Sequence, residues 1–216
     1  MPIFYQHPIN ESTRLGIWKI EETEEFFKGN VPQHRDVTHP LKRLQHLAGR
    51  FLLQYLFPDF PYELIRIADT RKPYLPNEQY HFSISHCGDY AAAIVSRDCR
   101  VGIDIEIPVE KIERLATKFL SPEEIRIFQV AGRGIDFTGP SRPADQNRQL
   151  LTLLWSAKEA VFKWYGDGGV DFSEHIRLVK LHESPEIMES TFLKANTALT
   201  VHYTQFEHLV LCWVVK

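Results

Sequence analysis

The sequence predicts an α+β fold, in which helices pack on small, mostly antiparallel sheets. Three observations carry this. Apolar residues recur at helical spacing over about 39–56 and again around 151–165. Short alternating runs lie between and after these stretches, bounded by turn residues. Both halves of the chain run from helices into a closing strand–turn–strand. At 216 residues with 44% hydrophobic content, the chain can bury the core of one large domain or two small ones.

The elements follow in order. Leu41, Leu44, Leu47, Ala48, Phe51, Leu52 and Tyr55 form one helical stripe, which must stop before Pro58. Residues 64–67, 80–85 and 90–95 are strand-like, and His86-Cys87-Gly88-Asp89 joins the last two as a hairpin turn. Val101–Glu106 is a further strand. After Pro108 the period changes. Ser121-Pro122-Glu123-Glu124 has capping-box form and opens a helix to about Val130. Residues 131–146, rich in Gly, Pro, Ser and Asp, read as a mobile loop. The helix holding Trp155 to Lys163 stops at Gly166-Asp167-Gly168-Gly169, and strands at 198–203 and 209–214 close the chain. His81-Phe82-Ser83 with its partner strand loosely echoes His202-Tyr203-Thr204 with its own. That hints at two similar lobes, 1–107 and 108–216, meeting near Pro108.

Composition narrows the class. A net charge of −3 argues against a general nucleic-acid binder. Cys87, Cys99 and Cys212 are odd in number and lack metal-site spacing, as expected of a reduced, intracellular protein. No secretory leader is evident after Met1, and no apolar stretch approaches the roughly 20 residues that span a bilayer. A cytoplasmic protein with no membrane partner is expected.

The chemistry concentrates in two segments. In the strand, Val101, Ile103 and Ile105 point one way while Gly102, Asp104 and Glu106 point the other. Two carboxylates beside a glycine suit a hard cation such as Mg²⁺, which completes its shell with water and phosphate oxygens. A solvated polar face of an edge strand is the alternative. In the helix, Leu151, Leu154, Val161, Phe162 and Tyr165 share one side, and Lys158 falls inside that stripe. Glu159 and Lys163 stand one turn apart; alone they could be a surface pair worth a few tenths of a kcal/mol.

Gly-Ile-Asp-Ile-Glu at 102–106 and Trp-Ser-Ala-Lys-Glu-Ala-Val-Phe-Lys at 155–163 resemble the two signatures of 4′-phosphopantetheinyl transferases of the larger, Sfp type. Lys72-Pro73, followed by Phe82-Ser83-Ile84-Ser85-His86, resembles the same family's substrate-binding stretch. Arg71 departs from it where glycine is more usual, and Cys87 stands where a small hydroxyl residue is common. The resemblance implies a monomer of two pseudo-symmetric lobes with the active site between them. It implies transfer of the phosphopantetheine arm of coenzyme A to a serine of an acyl or peptidyl carrier protein, releasing adenosine 3′,5′-bisphosphate.

Carried over by motif, Asp104 and Glu106 would ligate Mg²⁺, and Glu159 would serve as ligand, as base, or as both. Lys158 and Lys163 would stabilise the pyrophosphate and leaving group. Ser85 and His86 would hold the 3′-phosphate with Lys72 nearby, and Arg50, with Arg43 as competitor, would add a phosphate contact from the early helix.

Other readings are weaker. Ser85, His86 and Asp89 crowd one turn, whereas triad members converge from separate segments. A metal-dependent phosphodiesterase would use the acidic strand but leave Lys72 and Ser85-His86 without a role. A non-catalytic descendant would be expected to lack a metal ligand. Phe119-Leu120 is either a carrier-docking patch, with Lys118 or Arg126 nearby, or core.

Overall fold

A computed structural model describes residues 3–32, 37–130 and 143–216. The first half builds a four-stranded sheet. β1 (Ile3–Pro8) and β2 (Thr13–Lys19) form a hairpin, and α1 (Glu24–Asn30) follows, capped by the Thr23 side chain. Next comes α2 (Pro40–Leu56), with proline in its first turn, where a missing N–H costs nothing. A two-residue pair, β3 (Arg66–Ile67) and β4 (Pro73–Tyr74), makes a small separate hairpin. β5 (His81–Cys87) and β6 (Tyr90–Ser96) complete the sheet in the order β1-β2-β6-β5, every neighbour antiparallel.

The second half builds a five-stranded antiparallel sheet. Its segments are β7 (Val101–Glu106), α3 (Ala116–Phe119), α4 (Pro122–Phe128), α5 (Ala144–Tyr165), α6 (Phe172–His175), β8 (Ile176–Glu183), β9 (Glu186–Phe192), β10 (Thr197–Gln205) and β11 (Val210–Val215). The strand order is β7-β11-β10-β9-β8. Thus β7, assigned from sequence to the first half, hydrogen-bonds in the second sheet beside β11. The expected α+β architecture of helices on small antiparallel sheets is what the chain adopts.

Alternation along the strands sets the layers. Leu15, Ile17, Ala92 and Ile94 of the first sheet pack with Val101, Ile103, Ile105, Leu209 and Leu211 of the second. The opposite face of the first sheet, with Ala91, Ala93 and Val95, receives Leu47, Ala48 and Leu52 of α2. The opposite face of the second, with Val201, Val210, Cys212 and Val214, receives Leu151, Leu154, Ala157 and Val161 of α5. Each fully buried leucine or valine contributes about 1.5–3 kcal/mol. Helix, sheet, sheet and helix therefore stack, and β5 and β7 run close together where the two sheets meet.

Several boundaries differ from expectation. His86 and Cys87 remain in β5, and the turn is only Gly88-Asp89, with Gly88 at φ +49°. Residues 62–64 form a 3₁₀ turn, so the strand expected over 64–67 shrinks to β3. Residues 144–146 of the expected loop belong to α5, and its remainder through 142 lies outside the described residues. The capping box at Ser121 is formed as predicted, with the Ser121 side chain accepting from the Glu124 N–H.

Candidate active site

Gly102 lets the site form. A Cβ there would stand 2.0 Å from the Ala160 carbonyl oxygen and 2.5 Å from the Trp164 nitrogen, so only glycine allows α5 to lie this close to β7. With α5 against it, the polar face of β7 looks onto Trp155, Glu159 and Lys163. Asp104 Oδ1 accepts from Lys163 Nζ at 2.6 Å and from Ser85 Oγ at 2.8 Å. Lys163 Nζ also donates to Ser85 Oγ at 2.9 Å. Asp104 Oδ2 is buried with no hydrogen-bond partner. Trp155 Nε1 donates to Glu106 Oε1 at 3.3 Å.

The three carboxylates feel one another. Burial and the negative charge of Asp104 push the Glu106 carboxyl up to about 7; Glu159 adds to the rise, while Trp155 and Lys163 oppose it. Burial, then Asp104, pushes Glu159 up to about 7 as well, again against Lys163. One lysine amine faces three acids, and the negative charge is under-compensated. Among the described residues, no three His, Cys, Asp or Glu side chains are drawn together closely enough to hold a metal ion by themselves. Asp104, Glu106 and Glu159 are electrostatic neighbours, not a closed cage.

Two cavities border the group. One of about 240 Å³ is lined by Thr70, Arg71, Pro73, Ile84, Phe162 and Lys163. The other, of about 480 Å³, shares Arg71, Pro73 and Ile84 with it and adds His46, Arg50 and His86. Arg50 is 2% exposed, and its Nε and one terminal nitrogen have no partner. Burial draws its pKa down to about 10. An unpaired guanidinium beside a roomy cavity is a ready anion receptor. The competing Arg43 is instead held by Glu24, with both nitrogen–oxygen contacts at 2.8 Å.

Not all the expected residues converge. Lys158 turns away from the carboxylates: its Nζ is bound by Glu124 Oε2 at 2.8 Å and by the carbonyls of Phe172 and Ile176 at 2.8 and 2.7 Å. Its place in the apolar stripe of α5 marks a buried ion pair, not a phosphate ligand. Lys72 Nζ donates to the Lys163 carbonyl at 2.6 Å, so the end of α5 occupies it. Ser85 and His86, expected on one phosphate, leave β5 on opposite faces. Ser85 joins Asp104, and His86 lines the Arg50 cavity. Phe119 and Leu120 are buried at 1% and 2% exposure, so they are core and not an exposed patch.

His46 was missed from sequence, although its i,i+4 spacing to Arg50 on α2 offered the signal. Arg71, noted only as a departure, stands at φ +67° and lines both cavities.

Residues 100–214 match the family model of the 4′-phosphopantetheinyl transferase superfamily. That is more than half of the chain, which belongs to this superfamily. Enterobactin synthase component D of Escherichia coli is 34% identical over 138 residues, 62% of this chain and 60% of the relative. The component D of Salmonella austin is 29% identical over 152 residues, covering 68% of this chain and 60% of the relative. The 4′-phosphopantetheinyl transferase HetI of a Nostoc species is 30% identical over 89 residues, 40% of this chain and 33% of the relative. The matched stretch thus spans about 60% of the length of the first of these relatives. Among the described residues, no helix is long and apolar enough to cross a membrane.

Proposed function

We propose that this chain is a transferase of the larger, Sfp-type class, moving 4′-phosphopantetheine from coenzyme A to a serine of an acyl or peptidyl carrier protein. The observation that carries the reading is the meeting of Asp104, Glu106 and Glu159 around Lys163, which borders a cavity that shares Arg71, Pro73 and Ile84 with the one holding the unpaired Arg50. The chain would act in the cytoplasm as a monomer of two lobes, 1–107 and 108–216, with β7 crossing into the sheet of the second.

The residues fit a divalent cation. Asp104 Oδ2 is buried without a partner, and two neighbouring carboxyls are held near 7 for want of positive charge. Asp104, Glu106 and Glu159 would hold Mg²⁺, which when bound neutralises charge on pyrophosphate oxygens. Lys163, already at the edge of the 240 Å³ cavity, supports that charge from the protein side. Arg50, with His86 and Arg71 around the larger cavity, takes the 3′-phosphate of the coenzyme.

Glu159 also lines a third cavity, of about 420 Å³, walled by Phe119, Trp155, Phe162 and Phe172 with Lys118 at its side. The carrier's serine enters there, where the Glu159 carboxylate is placed to accept its proton. The serine oxygen then bonds to the phosphorus next to the pantetheine. The bond to the bridging pyrophosphate oxygen breaks, and adenosine 3′,5′-bisphosphate leaves.

The test is mass spectrometry of several carrier types incubated with the chain, coenzyme A and Mg²⁺. One phosphopantetheine should be added, and Asp104→Ala or Glu159→Ala should abolish it. Full rate in both variants would overturn the site. Cleavage of nucleic acid without carrier modification would favour a phosphodiesterase.

A further inference from the structure

Resting on the transferase reading, we infer that Lys72 is a positioning residue: from the β3–β4 hairpin it caps the end of α5 and so fixes Lys163 on Asp104. The last four carbonyls of a helix have no partner within it. In α5 the Phe162 carbonyl is met by the Gly166 N–H at 3.0 Å. The next two are met from outside, by Lys72 Nζ, at 2.6 Å to Lys163 and 3.4 Å to Trp164. Thr70 Oγ1 donates to the Gly166 carbonyl at 3.0 Å, so two residues of one hairpin hold the same turn. A cation at a helix C-terminus is also favoured by the aligned peptide dipoles.

The geometry makes the cap specific. Lys163 is held at both ends, its carbonyl by Lys72 and its amine by Asp104 and Ser85. Gly166 stands at φ +82°, and a Cβ there would lie 2.5 Å from Lys72 Nζ and 2.6 Å from its Cδ. Gly168, at φ +74°, leaves similar room for Thr70, whose methyl would be 3.0 Å from an added Cβ. The glycines after α5 therefore do more than stop the helix: they make the seat for the hairpin. The intervening Arg71 lines both coenzyme-side cavities, so the same hairpin borders the substrate groove and grips α5 through Thr70 and Lys72.

The experiment compares Lys72→Met, Lys72→Arg and Gly166→Ala with the unaltered chain. Lys72→Met should raise hydrogen exchange of the Tyr165 and Gly166 amides at least about tenfold over the rest of α5. It should lower kcat about ten- to a hundredfold, as a misplaced group does, with calorimetric coenzyme A affinity within about threefold of the original. Gly166→Ala should reproduce this with Lys72 still present, and Lys72→Arg should recover most of the rate. Unchanged exchange in Lys72→Met would overturn the cap. So would a loss of coenzyme affinity with kcat preserved, since that marks a coenzyme ligand. The exchange measurement needs no turnover; if the unaltered chain modifies no carrier, the transferase reading falls while the cap is still judged.

Discussion

Glu124→Ala should be among the most destabilising single changes in this chain, for reasons that can be counted bond by bond. The Lys158 and Glu124 side chains are 0% and 1% exposed. Glu124 also accepts the Leu178 N–H at 2.8 Å and the Ser121 N–H at 2.8 Å. One carboxylate thus closes the capping box of α4, anchors the start of β8 and neutralises a lysine inside α5. Removing it leaves a buried ammonium with two carbonyls and no counter-charge, which costs about 3–5 kcal/mol. The lost cap adds roughly 1 kcal/mol. Urea unfolding at constant slope should register the sum as a lower midpoint. Lys158→Met combined with Glu124→Gln removes both charges and should recover at least about 2 kcal/mol relative to the sum of the single variants. A loss below about 1 kcal/mol in Glu124→Ala would place the pair with surface salt bridges and refute the reasoning. A Lys158→Met protein of normal stability that cannot use coenzyme A would return Lys158 to the active site.

Four further outcomes follow. Because the Glu106 and Glu159 carboxyls titrate near 7 when folded against 4.5 otherwise, the folded chain binds more protons between those values; the metal-free protein should therefore lose on the order of 5 kcal/mol as pH rises from 4.5 to 7. Mg²⁺ should raise the melting temperature more at pH 8 than at pH 5.5, and an equal effect at both would count against carboxylate ligation. Gly102→Ala should push α5 from β7, costing about 1–3 kcal/mol or more in thermal unfolding and lowering the transfer rate. Arg50→Met should raise KM for coenzyme A about tenfold or more while leaving that for dephospho-coenzyme A nearly unchanged, since only the former carries the phosphate assigned to the guanidinium; equal losses for both would remove the assignment.

What was legible in the sequence had a period or a stop. The stripe of α2 ending at Leu56, the Ser121 capping box, the alternation of Val101–Glu106 and the glycine after Tyr165 are local signals with local causes. Some of what was missed lacked them, while α1, with its Thr23 cap, and β9 carried such signals and went unread. No element was assigned to β8, where a register shift between Leu178 and Lys180 breaks the two-residue period that betrays a strand. β1 carries a similar irregularity between Ile3 and Tyr5. The site failed in a different way. Lys158 was rightly singled out as a charge inside an apolar stripe, but its partner lies 34 residues earlier, and no periodicity links them. Motif order pointed to Asp104, Glu106, Glu159 and Lys163, which the fold brings together, and to Lys158 and Lys72, which it does not. It could not say that adjacent Ser85 and His86 would serve opposite faces of one strand.

The same contrast explains where the fold places its charges. The lysine in the middle of α5 is given a carboxylate and two carbonyls, and nothing is left for a ligand. Five residues on, Lys163 is shared between Asp104 and Ser85, and beside it one oxygen of Asp104 is left without a partner. Burial makes an unsatisfied carboxylate oxygen expensive, and a cation bound there would offset that cost. Comparing Asp104→Asn with the original chain separates the two cases. If the orphan oxygen is only a packing defect, Mg²⁺ should leave the melting temperature of both chains unchanged. If it is a ligand, Mg²⁺ should stabilise the original, and the variant, which also gives up the ion pair with Lys163, should lose most of that effect.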